Sequence, residues 1–441
     1  MKNIILEGII KDGTFPNRNT VTCQEKDYKI KGGIIGSEVR FKPSRRKKGK
    51  LIETIKKSSW ENIKPCPHTD CGGCTYDGFS YDKEIEYKEK LLNNLLHEEL
   101  NLDNVKIYSA GIFENYRNKM EFTFGDTYKG SPLALGLHKK NRFYEIENTN
   151  NCRIAHEDFN IIREKTRDFF KDKAFFNRRS HEGTLRHLAI RRTNYGEILV
   201  NLVTTKDNDL DLKSYVDELL SLKLEAQIKG ICHTINDSQG DAIIKEDFHI
   251  LYGRDYVIEE LLGLKFKIGT FSFFQTNTYS AAYLYQLAFD MIDNLQGKKV
   301  LDLYCGTGTI SQVFAKKAES VLGVEIVEEA VNAARENAQY NNISNVDFIA
   351  GDVAKVVNDL DIKADIIILD PPRVGINNPK ALDKIIDFSP EEFLYISCNP
   401  ISYVKDVKRF IERGYKLKKI VGLDQFPRTV NLELISLLEK D

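Results

Sequence analysis

The second half of the chain carries the strongest constraint on folding. From residue 263 onward, five short strand-like runs at 299–303, 320–325, 345–350, 364–369 and 392–397 alternate with segments of helical periodicity. A strand followed by a helix and another strand returns to the same sheet through a crossover, so this rhythm predicts a doubly wound parallel sheet. Two more runs, near 416–423 and 431–438, leave no room for a helix between them and are expected to pair antiparallel.

Ligands of such sheets bind at the carboxyl ends of the strands. Lys299-Val300-Leu301-Asp302-Leu303 runs into Tyr304-Cys305-Gly306-Thr307-Gly308-Thr309, a glycine turn that lets the backbone approach a ligand closely. Glu325 closes the next run, 19 residues after Gly306, where a carboxylate can take both ribose hydroxyls of a nucleoside cofactor. Asp352 follows the third run and is placed near an adenine, with a helix N-cap as its purely structural alternative. Asp370 ends the fourth. A nicotinamide dinucleotide would call for a third glycine, and Ser311 stands at that position. S-adenosylmethionine (AdoMet) has no phosphate and needs no such cradle.

After the fifth run, Tyr395-Ile396-Ser397 leads into Cys398-Asn399-Pro400, which puts a thiol on the cofactor's edge of the sheet. A lone cysteine is ordinarily a buried hydrophobe. Here an Asn-Pro turn exposes it beside a methyl donor, and a second loop, Asp370-Pro371-Pro372-Arg373, lies on the same edge. A thiolate added to carbon 6 of uracil makes carbon 5 nucleophilic, and a base must then remove the carbon-5 proton. Glu433 is the candidate base, although alone it reads as an ordinary strand glutamate.

At 441 residues the chain is long enough for two to four domains, and 41% hydrophobic with 29% charged residues describes a globular protein. The first apolar run, Ile4-Ile5-Leu6, is far shorter than a signal segment, so a cytoplasmic location is expected. The boundaries fall at about 1–58, 59–262 and 263–441. The net charge of -1 hides an asymmetry: residues 1–57 hold 15 Lys or Arg against 6 Asp or Glu, whereas 263–441 hold 21 against 24. The apolar runs Ile4–Leu6, Ile34–Ile35 and Leu51–Ile55, separated by glycines, suggest a small basic β-barrel of the kind that binds nucleic acid, with Arg45-Arg46-Lys47-Lys48-Gly49-Lys50 at its most basic point. Ile85, Leu91, Leu92, Leu95, Leu96 and Leu100 share one helix face. The stretch from 111 to 262 reads as an antiparallel sheet, with a hairpin over 185–192 and 197–204. Arg178, Arg179, Arg186, Arg191 and Arg192 could present one face of that sheet to phosphates or simply to solvent. Cys66, Cys71 and Cys74 crowd into nine residues, and with a distant fourth thiol they suit zinc or an iron-sulfur cluster.

Together these motifs resemble the RNA 5-methyluridine methyltransferases, which use AdoMet to methylate carbon 5 of uridine in bacterial ribosomal and transfer RNA. The resemblance rests on Phe273-Phe274-Gln275-Thr276-Asn277, Asp302-Leu303-Tyr304-Cys305-Gly306, Asp370-Pro371-Pro372-Arg373-Val374-Gly375, Tyr395-Ile396-Ser397-Cys398-Asn399-Pro400, and Asp424-Gln425-Phe426-Pro427 ahead of Glu433. It implies a multidomain α/β protein with an N-terminal OB-like TRAM barrel, a β-rich central domain and a Rossmann-like catalytic domain. It also implies Cys398 as nucleophile, Glu433 as proton acceptor, and Gln275, Tyr304, Glu325 and Asp370 at the AdoMet site. A 4Fe-4S cluster on Cys66, Cys71, Cys74 and Cys152 follows from its ribosomal branch, which makes 23S ribosomal RNA the expected substrate. Two features depart from the family pattern: Asn431 stands where a histidine is usual, and four residues rather than five separate Cys66 from Cys71. The rival readings are transfer RNA as substrate, a cytosine carbon-5 methyltransferase, and a non-catalytic RNA-binding assembly factor.

Overall fold

A computed structural model describes residues 4–206, 209–360 and 362–441. Strands β1 (Leu6–Thr14), β2 (Arg18–Cys23), β3 (Lys26–Lys31), β4 (Glu38–Ser44) and β5 (Lys48–Lys56) close into a barrel in the order β1-β2-β3-β5-β4. The Ile34–Ile35 run is not a strand. It lies between Gly33 and Gly36, both at positive φ, and both isoleucines are buried in the barrel core. Helix α1 (Tyr81–Leu100) lays Tyr87 and Leu91 against this core, while Leu92, Leu95 and Leu96 join a second core under the C-terminal sheet. Each such burial is worth about 1.5–3 kcal/mol, so the helix binds the barrel to the rest of the chain.

The next strand, β6 (Ile107–Tyr108), crosses the expected boundary at residue 262: it pairs in parallel with Gly422 and Leu423 at the edge of the C-terminal sheet. The central sheet is formed by β7 (Lys119–Asp126), β8 (Leu133–Lys139), β9 (Arg142–Glu147), β10 (Leu185–Arg192), β11 (Glu197–Thr204), β12 (Gln227–Ile235) and β13 (Asp247–Gly253), in the order β13-β12-β11-β10-β7-β8-β9. Helix α2 (Glu157–Phe169) covers it. The sheet is not wholly antiparallel. Helix α3 (Leu212–Leu220) carries the chain across, so β11 and β12 run parallel, with Val200 beside Ile231.

Hairpin β14 (Tyr256–Leu261) and β15 (Leu264–Gly269) leads through α4 (Thr278–Met291) into the C-terminal part. There β16 (Lys299–Leu303), α5 (Thr309–Ala315), β17 (Ser320–Glu325), α6 (Glu328–Tyr340), β18 (Val346–Ala350), α7 (Val353–Asp359), β19 (Ile366–Leu369), α8 (Pro379–Asp387), β20 (Glu392–Ser397), α9 (Pro400–Glu412), β21 (Tyr415–Leu423) and β22 (Glu433–Lys440) alternate as their sequence rhythm requires. The sheet order is β18-β17-β16-β19-β20-β22-β21-β6, and β22 runs antiparallel to both β20 and β21. From β16 the chain winds one way to β17 and β18, and from β19 the other way to β20. The switch point, where a crevice opens at the carboxyl ends of the strands, therefore lies between β16 and β19. No helix among the described residues is long and apolar enough to cross a membrane.

Candidate active site

The turn after β16 is built for close approach. Gly308, at φ +71, begins α5, and a Cβ there would lie 2.6 Å from the Phe348 ring, so helix and sheet pack this tightly only around glycine. Tyr304 holds φ +68, a left-handed conformation that a tyrosine adopts only when its surroundings impose it. Here its N–H is tied to Val324 O at 2.9 Å. The Glu325 carboxylate accepts the Gly306 N–H at 3.2 Å and the Val327 N–H at 2.9 Å, and its remaining lone pairs are available to a ribose. Asp352 caps α7 through Ala354 N–H at 2.9 Å, so the structural role foreseen for it is realised. Its charge also reaches Tyr304, whose hydroxyl is pushed up to about 12 first by burial and then by Asp352.

On the other side of the switch point, strand pairing brings the two reactive candidates together. The ladder ends where Ser397 pairs with Leu434; Cys398 directly follows β20 and Glu433 opens β22, close enough for the Glu433 charge to act on the thiol. The Cys398 thiol is pushed up to about 12 by burial, then by the charges of Glu433 and Asp370, with Arg373 acting in the opposite sense. Burial, and then Asp370, lifts Glu433 well above the usual carboxylate range, again against Arg373. Burial alone pushes Asp370 up to about 7. Asp302, holding Ser311 Oγ at 2.5 Å, also rises to about 7, chiefly by burial and then through Asp370 and Glu325. Carboxyl groups thus dominate this edge. A ligand with a sulfonium and an ammonium group would relieve their mutual repulsion, and on that ground the residues present fit AdoMet.

Gln275 arrives from the opposite wall. Asn118 Nδ2, just before β7, donates to its carbonyl at 2.8 Å, and its side chain meets Gln425 Nε2 at 3.4 Å and the buried Tyr285 hydroxyl. Tyr285 in turn feels Asp370, Asp302 and Glu433, which places Gln275, Asp370, Glu433 and Cys398 around one centre. Arg373 joins them: its Nη2 donates to Asn431 Oδ1 at 3.0 Å, and its carbonyl accepts Asn399 Nδ2 at 2.9 Å. Asn431, which replaces the usual histidine, therefore orients the cation beside the thiol. Sequence reasoning assigned no role to Arg373, Asp302 or Tyr285. Arg373 and Asp302 stand inside recognisable motifs, whereas Tyr285 is one of many apolar-face residues of a helix and carries no local signal.

The four cluster cysteines gather between the central sheet and the catalytic loop. Cys71 bridges to Lys139 of β8. Burial pushes its thiol up to about 11, with smaller contributions from Cys152 and Cys66. Cys74 is raised further by burial and then by Cys152, Cys71 and Cys66, so all four thiols lie within electrostatic reach of one another. Cys66 Sγ also contacts His68 Nδ1 at 3.2 Å. Among the described residues no group of three or more His, Cys, Asp or Glu side chains is disposed to hold a metal ion. Of the five arginines that could have faced phosphates or solvent, three meet the protein instead. Arg192 pairs with Asp158 of α2, Arg178 with Asp241, and Arg186 holds the carbonyls of Asn236 and Ser238, so these side chains fasten α2 and the 236–241 loop to the sheet.

The model for the tRNA (uracil-5-)-methyltransferase family matches residues 80–441. An RNA methyltransferase of Caldanaerobacter subterraneus subsp. tengcongensis is 42% identical over 98% of both chains, and one of Clostridium tetani is 42% identical over 98% of this chain and 97% of its own. The crystal structure of Pyrococcus abyssi tRNA (uracil-54, C5)-methyltransferase in complex with S-adenosyl-L-homocysteine shares the fold across 98% of this chain and 99% of its own, with a TM-score of 0.79 at 24% identity. By the family model and these relatives, the chain belongs to the tRNA (uracil-5-)-methyltransferase family, whose members act on RNA with AdoMet.

Proposed function

We propose that this protein methylates carbon 5 of uridine in RNA through a covalent adduct on Cys398, with Glu433 as the proton acceptor. The pairing of β20 with β22, which brings the end of one strand and the start of the other to the same edge of the sheet, with the Glu433 charge acting on the Cys398 thiol, supports the reading. AdoMet, held by Glu325, Tyr304, Asp370 and Gln275, supplies the methyl group. The Cys398 thiol gives up its proton to solvent, its Sγ bonds to carbon 6 of the ring, and the displaced electron pair makes carbon 5 the nucleophile. Glu433 takes the carbon-5 proton, the Cys398–carbon 6 bond breaks, and the thiolate leaves. Arg373 favours the anionic forms of both groups. RNA carrying 5-fluorouridine at the target should stall at the last step, because fluorine cannot leave as a cation. A protein-RNA band that survives denaturation should accumulate in the wild type and be absent in Cys398→Ala, while Glu433→Gln should retain adduct even with ordinary uridine. Near-normal methylation by Cys398→Ala would sink the mechanism.

We assign 23S ribosomal RNA as the substrate because the cysteine quartet resembles that branch. Transfer RNA is the second reading. The Pyrococcus abyssi enzyme, named for transfer RNA, matches this chain over its full length, so the barrel does not discriminate between the two. Offering unmodified 23S and transfer RNA transcripts, followed by nucleoside digestion, separates the two substrates and distinguishes 5-methyluridine from 5-methylcytidine.

Cys66, Cys71, Cys74 and Cys152 are assigned to a 4Fe-4S cluster. Four soft thiolates suit it, and each would hold a different iron, so they need not converge on one ion. Its part is structural: the Thr75 and Tyr76 N–H groups, directly after Cys74, both donate to Arg428 O in the loop that leads to Glu433. Protein purified anaerobically should be brown with about four irons per chain, and Cys71→Ser should bleach it. Stoichiometric zinc without iron would overturn the assignment.

A further inference from the structure

A pocket of about 400 Å³ opens beside the catalytic centre, within the roughly 300–1,000 Å³ typical of ligand sites. Phe273, Phe274 and Thr276 form one of its walls, whereas Gln275 between them turns the other way, toward Tyr285 and Gln425. The pocket therefore shares a wall with the active site but is separate from it, and neither Cys398, Glu433 nor Asp370 lines it. Leu137 and Ile154 give it apolar sides, Arg117 and the paired Lys119 and Glu121 line its polar part, and Phe273 stands 73% exposed at the wall.

Arg191, only 3% exposed, also lines the pocket. Its Nη2 donates to Ser272 O at 2.8 Å, but Nη1 and Nε meet no partner among the described residues. The carboxylates that reach it, Glu259 and Glu121, act only at a distance, since Glu259 is engaged by Thr278 Oγ1 and Asn194 N–H and Glu121 by Lys119. Burial pulls the guanidinium down to about 10. A buried cation with two idle donors is costly for a free protein to keep unless something else takes those bonds. Apolar walls suit the faces of a nucleobase better than a phosphate, and a base offers carbonyl and ring-nitrogen acceptors along its edge.

We propose that this pocket receives a second unpaired base of the RNA, adjacent to the target uridine, with Arg191 bonding its acceptor edge. The inference rests on the RNA-methylating function proposed above. It adds a recognition position to that function: the enzyme reads a flanking nucleotide as well as the uridine it modifies, and requires both to be unstacked.

The test uses the full-length protein purified anaerobically and an RNA oligonucleotide spanning the uridine found to be methylated, with an abasic sugar placed at each flanking position in turn. At one position the abasic substitution should raise the KM for RNA about tenfold or more in the wild type. Arg191→Met should raise the KM for intact RNA by a similar factor, leave AdoMet affinity unchanged, and make the enzyme indifferent to the abasic site at that same position. If no abasic position changes the KM, or if the two effects multiply, the pocket holds only water and the inference fails while uridine methylation still stands. If no RNA uridine gains a methyl group, the functional reading fails and takes the inference with it. The wild-type scan decides the matter even if Arg191→Met folds poorly.

Discussion

Arg373 is the residue on which the chemistry turns most directly. Cys398 and Glu433 are both held in their neutral forms by burial, and the Asp370 charge holds them there more firmly; Arg373 is the cation that opposes this. In the mechanism proposed above both groups must lose a proton to act, so the rate should climb with pH across the neutral range. Removing the cation raises both groups further. Arg373→Gln should therefore move the ascending limb of the pH-rate profile to higher pH. The rate at pH 7 should fall about tenfold for every pH unit by which either group is raised, the two losses multiplying, and recover in part under alkaline conditions. A uniformly slower profile with an unmoved limb would show that Arg373 acts by some other means. The motif Asp-Pro-Pro-Arg was legible in the sequence; the link from Arg373 to Asn431, 58 positions away, was not, because it depends on where β22 begins.

At the scale of elements, the loop between β21 and β22 is held by charges that no apolar pattern reveals. Lys88 of α1 bonds Glu84 at 2.6 Å and Asp424 at 2.8 Å, all three nearly or wholly buried, and Glu84 also accepts the Arg428 N–H at 2.6 Å. Arg428 itself sits at φ +70. Lys88→Met would leave two buried carboxylates without their shared cation, and should cost about 3–5 kcal/mol in denaturant unfolding. Because Asp424 and Arg428 lie on the approach to Glu433, methylation should fall more than AdoMet affinity does. A variant as stable as the wild type would mean that the network contributes nothing. The helix itself was predicted from its leucine spacing, but Glu84 and Lys88 read in sequence as ordinary surface charges, and only docking against the catalytic loop buries them.

For the whole molecule, the barrel is a basic surface fastened to the enzyme by α1: Phe15 N–H bonds Leu91 O at 3.0 Å, and Ile35 N–H bonds the Tyr87 hydroxyl at 3.0 Å. Deleting residues 1–57 would expose that apolar face, so charge is the better probe. Replacing Arg45, Arg46, Lys47, Lys48 and Lys50, exposed around the β4–β5 turn, with glutamine should flatten the salt dependence of RNA binding, by about 0.7 in log-log slope for each single-strand phosphate that is no longer neutralised. An unchanged slope would show that these charges only meet water. What the sequence determined by itself was whatever depends on neighbours along the chain: the strand-helix rhythm after residue 263, the glycine turn after β16, the hairpin of β10 and β11, and the thiol and carboxylates at one edge. Periodicity and allowed backbone angles are local properties. The tertiary structure decided what depends on which strands become neighbours. It carried β6 into the catalytic sheet, turned β11 and β12 parallel, tied Arg178 and Arg186 to one loop and Arg192 to α2, and left Arg191 buried with donors to spare. These outcomes follow from contacts between residues as far apart as Lys88 and Asp424, 336 positions along the chain, and packing across such distances leaves no periodic trace in the sequence.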